Sequence, residues 1–125
     1  MKKEVIYTKN APEPGPYSQA IKYGELIFVS GQTSEDPETN NSVHDSISAQ
    51  THRIMKNIKT ILEAANSSLE KVLRVDIYLS SIEHKAEFND AYLCYFKTDR
   101  PARNCVGVSN LDDGLDVEIE VIAGT

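Results

Sequence analysis

Three stretches combine residue types that can do chemistry at close spacing. Ala11-Pro12-Glu13-Pro14-Gly15-Pro16-Tyr17-Ser18-Gln19-Ala20 is a stiff, proline-punctuated loop that must run into a strand. Val29-Ser30-Gly31-Gln32 is a strand end of small residues, where a ligand can approach backbone closely. Pro101-Ala102-Arg103-Asn104-Cys105-Val106 and Val117-Glu118-Ile119-Glu120 put one arginine and two carboxylates on strand candidates with matching side-chain parity. An arginine fork grips a carboxylate through two parallel hydrogen bonds, and a glutamate can place or deprotonate water. The plainer reading of the same pair is a cross-strand ion pair, favoured by spacing alone. Other chemistries lack their signatures. His44, His52 and His84 show neither HExxH nor Cys/His ligand spacing, and no GxGxxG, GxxxxGK[ST] or GxSxG occurs. Tyr17 and Tyr92 are more often packing aromatics than ligand contacts. Ser30 and Asn89 can satisfy nearby backbone, and Cys105 can be a small buried hydrophobe.

The elements that must position these residues follow from periodicity. Glu4–Thr8 is a strand candidate, and Ser18–Tyr23 with Leu26–Gln32 reads as a hairpin about Gly24-Glu25. Residues 33–44 make a long polar loop. Ile47, Ile54, Ile58, Ile61, Leu62 and Ala65 share one stripe of a helix, with Asp45 expected as N-cap and Asn66 in the left-handed closing position. Leu73, Val75, Ile77 and Leu79 alternate with polar partners, which is strand spacing. Ser80 and Glu83 form an expected capping box for a second helix, whose Phe88, Ala91, Tyr92, Tyr95 and Phe96 share a face until Asp99-Arg100-Pro101 stops it. Ala102–Val108 and Val117–Ala123 read as strands around the Asp112-Asp113-Gly114 turn. The order is β-β-β-α-β-α-β-β, an α+β or α/β sheet with both helices on one face. The other face is expected to carry Arg74, Asp76, Tyr78, Arg103, Cys105, Glu118, Glu120 and Ile122. That mixture suits self-association.

Composition sets the outer bounds. With 125 residues, 40% apolar and 26% charged, the chain is expected to be one domain over 1–125. A net charge of −6 argues against a protein whose main work is gripping nucleic acid. No apolar run is long enough for a membrane span, and Met1-Lys2-Lys3-Glu4-Val5 has no apolar stretch behind it to make a secretory signal. Two widely spaced cysteines, Cys94 and Cys105, fit a reducing, cytoplasmic setting.

Taken together, APEPGPYSQA at 11–20, SGQ at 30–32, the Gln50–Asn57–Leu62–Ala65 helix, Phe88-Asn89…Tyr92…Phe96, Pro101-Ala102-Arg103 and Glu118-Ile119-Glu120 resemble the Rid family (YjgF type) over nearly the whole chain. The resemblance implies a chorismate-mutase-like α+β fold and a homotrimer with sheets wrapped into a central barrel and clefts between subunits. It implies cofactor-free hydrolysis of 2-imino acids, such as 2-iminobutanoate and 2-iminopropanoate, to 2-keto acids and ammonia, and the lack of ligand spacing adds the expectation that no metal is needed. By position, Arg103 would bind the substrate carboxylate and Glu118 would position or deprotonate water. Tyr17, Ser30, Gly31, Asn89, Tyr92 and the backbone at Cys105 would line the cleft. Asn66 stands where relatives often have glycine, and the connection before Pro101 looks shorter than in some members, which bears on the cleft rim. Two other functions attach to the resemblance: a regulatory module that binds keto acids or carboxylates, and an endoribonuclease or translation inhibitor.

Overall fold

The computed structural model describes residues 1–125. Six strands form one mixed sheet: β1 (Lys3–Ile6), β2 (Ala20–Tyr23), β3 (Leu26–Thr33), β4 (Val72–Leu79), β5 (Ala102–Gly107) and β6 (Val117–Gly124), in the spatial order β1-β2-β3-β6-β4-β5. Every pairing is antiparallel except β4 with β5. Gly24 takes φ 61° in the β2–β3 turn, as its lack of a Cβ permits. Helices α1 (Ile47–Ala64) and α2 (Lys85–Tyr92) lie together on one face. No helix is long and apolar enough to cross a membrane.

The core sits between those helices and the sheet. Ile54, Met55, Ile58, Ile61 and Leu62 of α1 meet Ile27, Val29, Val75, Ile77, Val117, Ile119 and Val121, while Phe88 and Tyr92 enter from α2. Strand alternation delivers this: β6 reads buried and half-buried in strict turn from Val117 to Gly124. The opposite face has two halves. Val5, Ile21, Tyr23, Leu26, Phe28 and Ile122 form an apolar half. Arg74, Asp76, Tyr78, Glu118 and Glu120 form a polar half, in which Arg74 pairs with Asp76 (3.1 Å) and the Tyr78 hydroxyl donates to Glu120 (2.6 Å).

Several expectations hold and several need correction. Asn66 does close α1 in the left-handed region, at φ 60°. Its N-cap, however, is Ser46, whose hydroxyl accepts from the Ala49 N–H (3.1 Å), while Asp45 pairs with Arg53 (2.9 Å). Ser81, not Ser80, caps the turn before α2, because the Ser80 hydroxyl is bonded to Asp116 (2.7 Å). The second helix ends at Tyr92; Cys94 and Tyr95 continue in tighter turns that still bury Phe96.

The largest correction concerns β5. It is not the neighbour of β6: β4 lies between them, and β5 forms the sheet edge. Arg103 and Cys105 pair with the core residues Val75 and Ile77, so both point to the helix side rather than the open face.

Candidate functional site

The expected residues fall into two groups. The first surrounds Glu118. Strand β3 breaks register between Val29 and Gln32, which leaves Ser30 and Gly31 out of the regular ladder. A Cβ on Gly31 would stand 2.5 Å from Glu118 Oε2, so this glycine is what lets the carboxylate lie against β3. Tyr17, Gly31 and Glu118 line one small cavity of about 50 Å³ together with Glu13, Glu35 and Asp112. The loop that brings Tyr17 there is pinned by Gln19, a fully buried side chain. Its amide donates to Pro12 O (2.9 Å) and Thr8 O (3.0 Å) and accepts from the Thr8 N–H (2.8 Å). Ser30 belongs to the same clamp: its hydroxyl donates to Ser18 O (2.7 Å) and its N–H to Gln19 O (3.0 Å). It therefore holds the loop rather than offering a free hydroxyl.

The cavity is acidic, and its charges act on one another. Burial, then the neighbouring charges of Asp112 and Glu120, push the Glu118 carboxyl above the ordinary glutamate range. Burial also raises Glu35, opposed by a hydrogen bond from Thr33 and reinforced by Asp113 and Asp112. Behind Glu118, the hydrogen bond to Glu120, aided by burial and nearby carboxylates, pushes the Tyr78 hydroxyl up to about 12.

The second group surrounds Arg103 on β5, at the edge of the sheet. Its guanidinium carbon lies 4.9 Å from the Tyr92 ring centre and 5.8 Å from that of Phe88, a stacked cation on two aromatic faces. The chain's two ion pairs are Arg53–Asp45 and Arg74–Asp76, so Arg103 has no carboxylate partner of its own. Asn89 Oδ1 is buried without a hydrogen-bond partner in the protein, and the buried Tyr92 hydroxyl has no well-formed bond, only the Arg103 guanidinium nearby. An orphaned group of this kind costs about 1–3 kcal/mol, a debt a polar ligand relieves. Burial raises the Tyr92 hydroxyl, and the Arg103 charge opposes that. Cys105, two residues along β5, packs against the core as a half-buried free thiol.

The two groups do not meet within one chain. Glu118 pairs with Tyr78 and Val75 pairs with Arg103, so two strand spacings and three residue rises separate them, on the order of 14 Å between Cα atoms. Their side chains also leave opposite faces. The expected Arg103–Glu118 ion pair is thus absent, for the same reason that β5 is not beside β6. Sequence reasoning passed over Glu13, Glu35 and Asp112, whose approach to Glu118 depends on loops without periodicity. It also passed over Phe88 as the second ring beneath Arg103. No three of the chain's His, Cys, Asp and Glu side chains come together in a way that could hold a metal ion. His52 instead bonds the Tyr95 hydroxyl (2.6 Å).

A mixed six-stranded sheet with two helices on one face, an unpaired arginine on aromatic rings and a glutamate packed on a glycine define a Rid-type α+β protein. The comparisons agree. The Endoribonuclease L-PSP family profile matches residues 8–125. A RutC family protein of Pyrococcus abyssi is 49% identical over 124 residues, covering 98% of each chain. Among solved structures, the Rid family protein YyfA of Yersinia pestis superimposes with a TM-score of 0.95 at 44% identity, covering 99% of this chain and 100% of its own. RidA from an Antarctic Psychrobacter gives 0.93 at 36%, covering 98% and 99%. The chain belongs to this family, the Rid/RutC group of endoribonuclease L-PSP proteins.

Proposed function

We propose that the protein hydrolyses 2-imino acids to 2-keto acids and ammonia, in clefts where the Arg103 group of one copy faces the Glu118 group of another. The observation that carries this reading is Arg103 itself: a cation without a carboxylate partner, laid on Tyr92 and Phe88 of α2, the helix that also holds the unbonded Asn89 Oδ1. A substrate carboxylate supplies what that pocket lacks. Glu118 then takes a proton from water as the water oxygen bonds to the iminium carbon, giving a carbinolamine. Glu118 returns that proton to nitrogen and then takes the hydroxyl proton as the C–N bond breaks, leaving the ketone; the departing ammonia collects this last proton from Glu118 and leaves as ammonium. Atoms balance with water alone, and the reacting carbon is already electrophilic, so orientation and modest proton transfer suffice.

The apolar half of the open face supports assembly into a trimer, and two free cysteines suit a reducing, cytoplasmic compartment. A ligand-binding role without turnover has one observation in its favour: the Arg103 group is complete without Glu118. RNA cleavage, named in the family description, is opposed by the net charge of −6.

The test is ammonia and keto-acid release from enzymatically generated 2-iminobutanoate and 2-iminopropanoate. Acceleration over the spontaneous reaction that is lost in Arg103→Ala supports the proposal. Near wild-type turnover in an assembled Arg103→Ala protein would sink it. Saturable keto-acid binding without any acceleration would put the binding role ahead.

A further inference from the structure

Asp112 lies in an exposed turn, yet that turn is held firmly from outside. Ser42 Oγ donates to Asp113 Oδ2 (2.8 Å), and His44 Nε2 bonds the Asp113 carbonyl. Asp113 itself takes φ 56°, a left-handed conformation those contacts keep in place. Just beyond, Asp116 is locked by Gln50 of α1 (3.1 Å and 3.0 Å) and by Ser80 (2.7 Å). These tertiary bonds fix Asp112 on the rim of the Gly31–Glu118 cavity, which no lysine, arginine or histidine lines.

We propose that Asp112 is a positioning residue acting through Glu118: its carboxylate completes the acidic wall of the cavity and governs when Glu118 takes a proton from water. This deepens the hydrolytic reading above and rests on it. Several groups face Glu118. Glu120 lies on its own strand, Tyr78 and Asp76 come from β4, and Glu35 comes from the 33–44 segment. Glu13 and Tyr17 come from the entry loop, β3 presents the uncharged Gly31, Gln32 and Thr33, and in the proposed cleft Arg103 of another copy faces Glu118 from outside. Among them Asp112 has a distinct place. It lines the cavity together with both Glu118 and Glu35, whereas Asp113 does not line it and turns its carboxylate to the Ser42 hydroxyl.

The sign of the effect is set by like-charge repulsion. A second carboxylate at the rim makes Glu118 hold a proton more readily, and so makes it the stronger base once ionised. Turnover that needs ionised Glu118 then fails on the acid side at a higher pH than it would without Asp112.

The experiment follows the Glu118 side-chain carboxyl by 13C NMR in the assembled protein, with Glu118→Gln to assign the signal, alongside the pH profile of kcat/KM for 2-iminobutanoate. In Asp112→Asn, the Glu118 titration midpoint and the acid limb of kcat/KM should both move to lower pH. Asp113→Asn should leave the Glu118 midpoint in place. Should Asp112→Asn fail to assemble, Asp112→Ala reads the same midpoint. An unmoved midpoint in an assembled Asp112 variant overturns the proposal, as does an equal shift in Asp113→Asn, which would reflect net charge alone. A midpoint that moves in a protein without imine hydrolysis upholds the Asp112–Glu118 coupling and removes the hydrolytic reading instead.

Discussion

Arg103 and Gly31 show how much rests on single side chains. Lysine at 103 keeps the charge but loses the planar fork, so Arg103→Lys should weaken keto-acid binding by about tenfold or more, the scale of one charged hydrogen bond. Isothermal titration checks this, and unchanged affinity would show that no carboxylate sits on the fork. Gly31→Ala drives a methyl to 2.5 Å from Glu118 Oε2. The carboxylate must swing away, and turnover should drop by about a hundredfold with the fold intact, since small displacements of reacting groups carry costs of that size. Glu118 also leaves a thermodynamic mark. Its folded form binds a proton more readily than its unfolded form, which sits near the ordinary 4.5. Stability from this group is therefore present below that value and lost as pH rises through the raised folded value. Glu118→Gln should accordingly melt higher than wild type at pH 7.5, with the gap closing near pH 4, while hydrolysis is lost. A variant that melts lower at both pH values contradicts that assignment.

Among the elements, α1 offers the cleanest test of local rules. Ser46→Ala removes the hydroxyl that accepts from Ala49 N–H and should cost about 1 kcal/mol. Asp45→Ala breaks only a partly exposed pair with Arg53, worth at most about 1 kcal/mol and often less. Denaturant melts of the two variants separate the roles, and a larger loss for Asp45→Ala would restore it as the cap. The two residues are adjacent and both of capping type, so sequence alone could not choose. Its failure at β5 has a different origin. Alternation tells which residues of a strand share a face, but not which face is turned inward or which strand lies alongside. Arg103 and Glu118 had matching parity and only a short turn between their strands, which suggested a hairpin. A helix between β4 and β5 pointed the other way, toward a parallel crossover, and that rule prevails here. Legible in advance were the Gly24 turn, the Asn66 closure, the α1 stripe and the loop that carries Tyr17. The acidic wall around Glu118 was not legible, because Asp112 arrives there in a turn held by the distant Ser42 and His44, and Glu35 in a loop without periodicity.

At the scale of the whole molecule, the open sheet face should be covered by copies of itself. Light scattering should report a particle of about 42 kDa, three chains of 13.9 kDa, that persists on dilution to micromolar concentration. Phe28→Asp, placed in the exposed apolar half, should break it into smaller species. A stable monomer in the unmodified protein removes the shared cleft with the trimer. In the proposed assembly, where Arg103 of one chain meets Glu118 of the next, the separation of the two on different strands and opposite faces has a genetic consequence. A defect in either half need not be fatal to a mixed population. When chains carrying Arg103→Ala are unfolded and reassembled with an equal amount carrying Glu118→Gln, some clefts receive an intact arginine from one chain and an intact glutamate from the next. Random assembly into closed rings should restore about a quarter of the wild-type sites from two inactive parents. Two alleles that are each null would then complement in one cell.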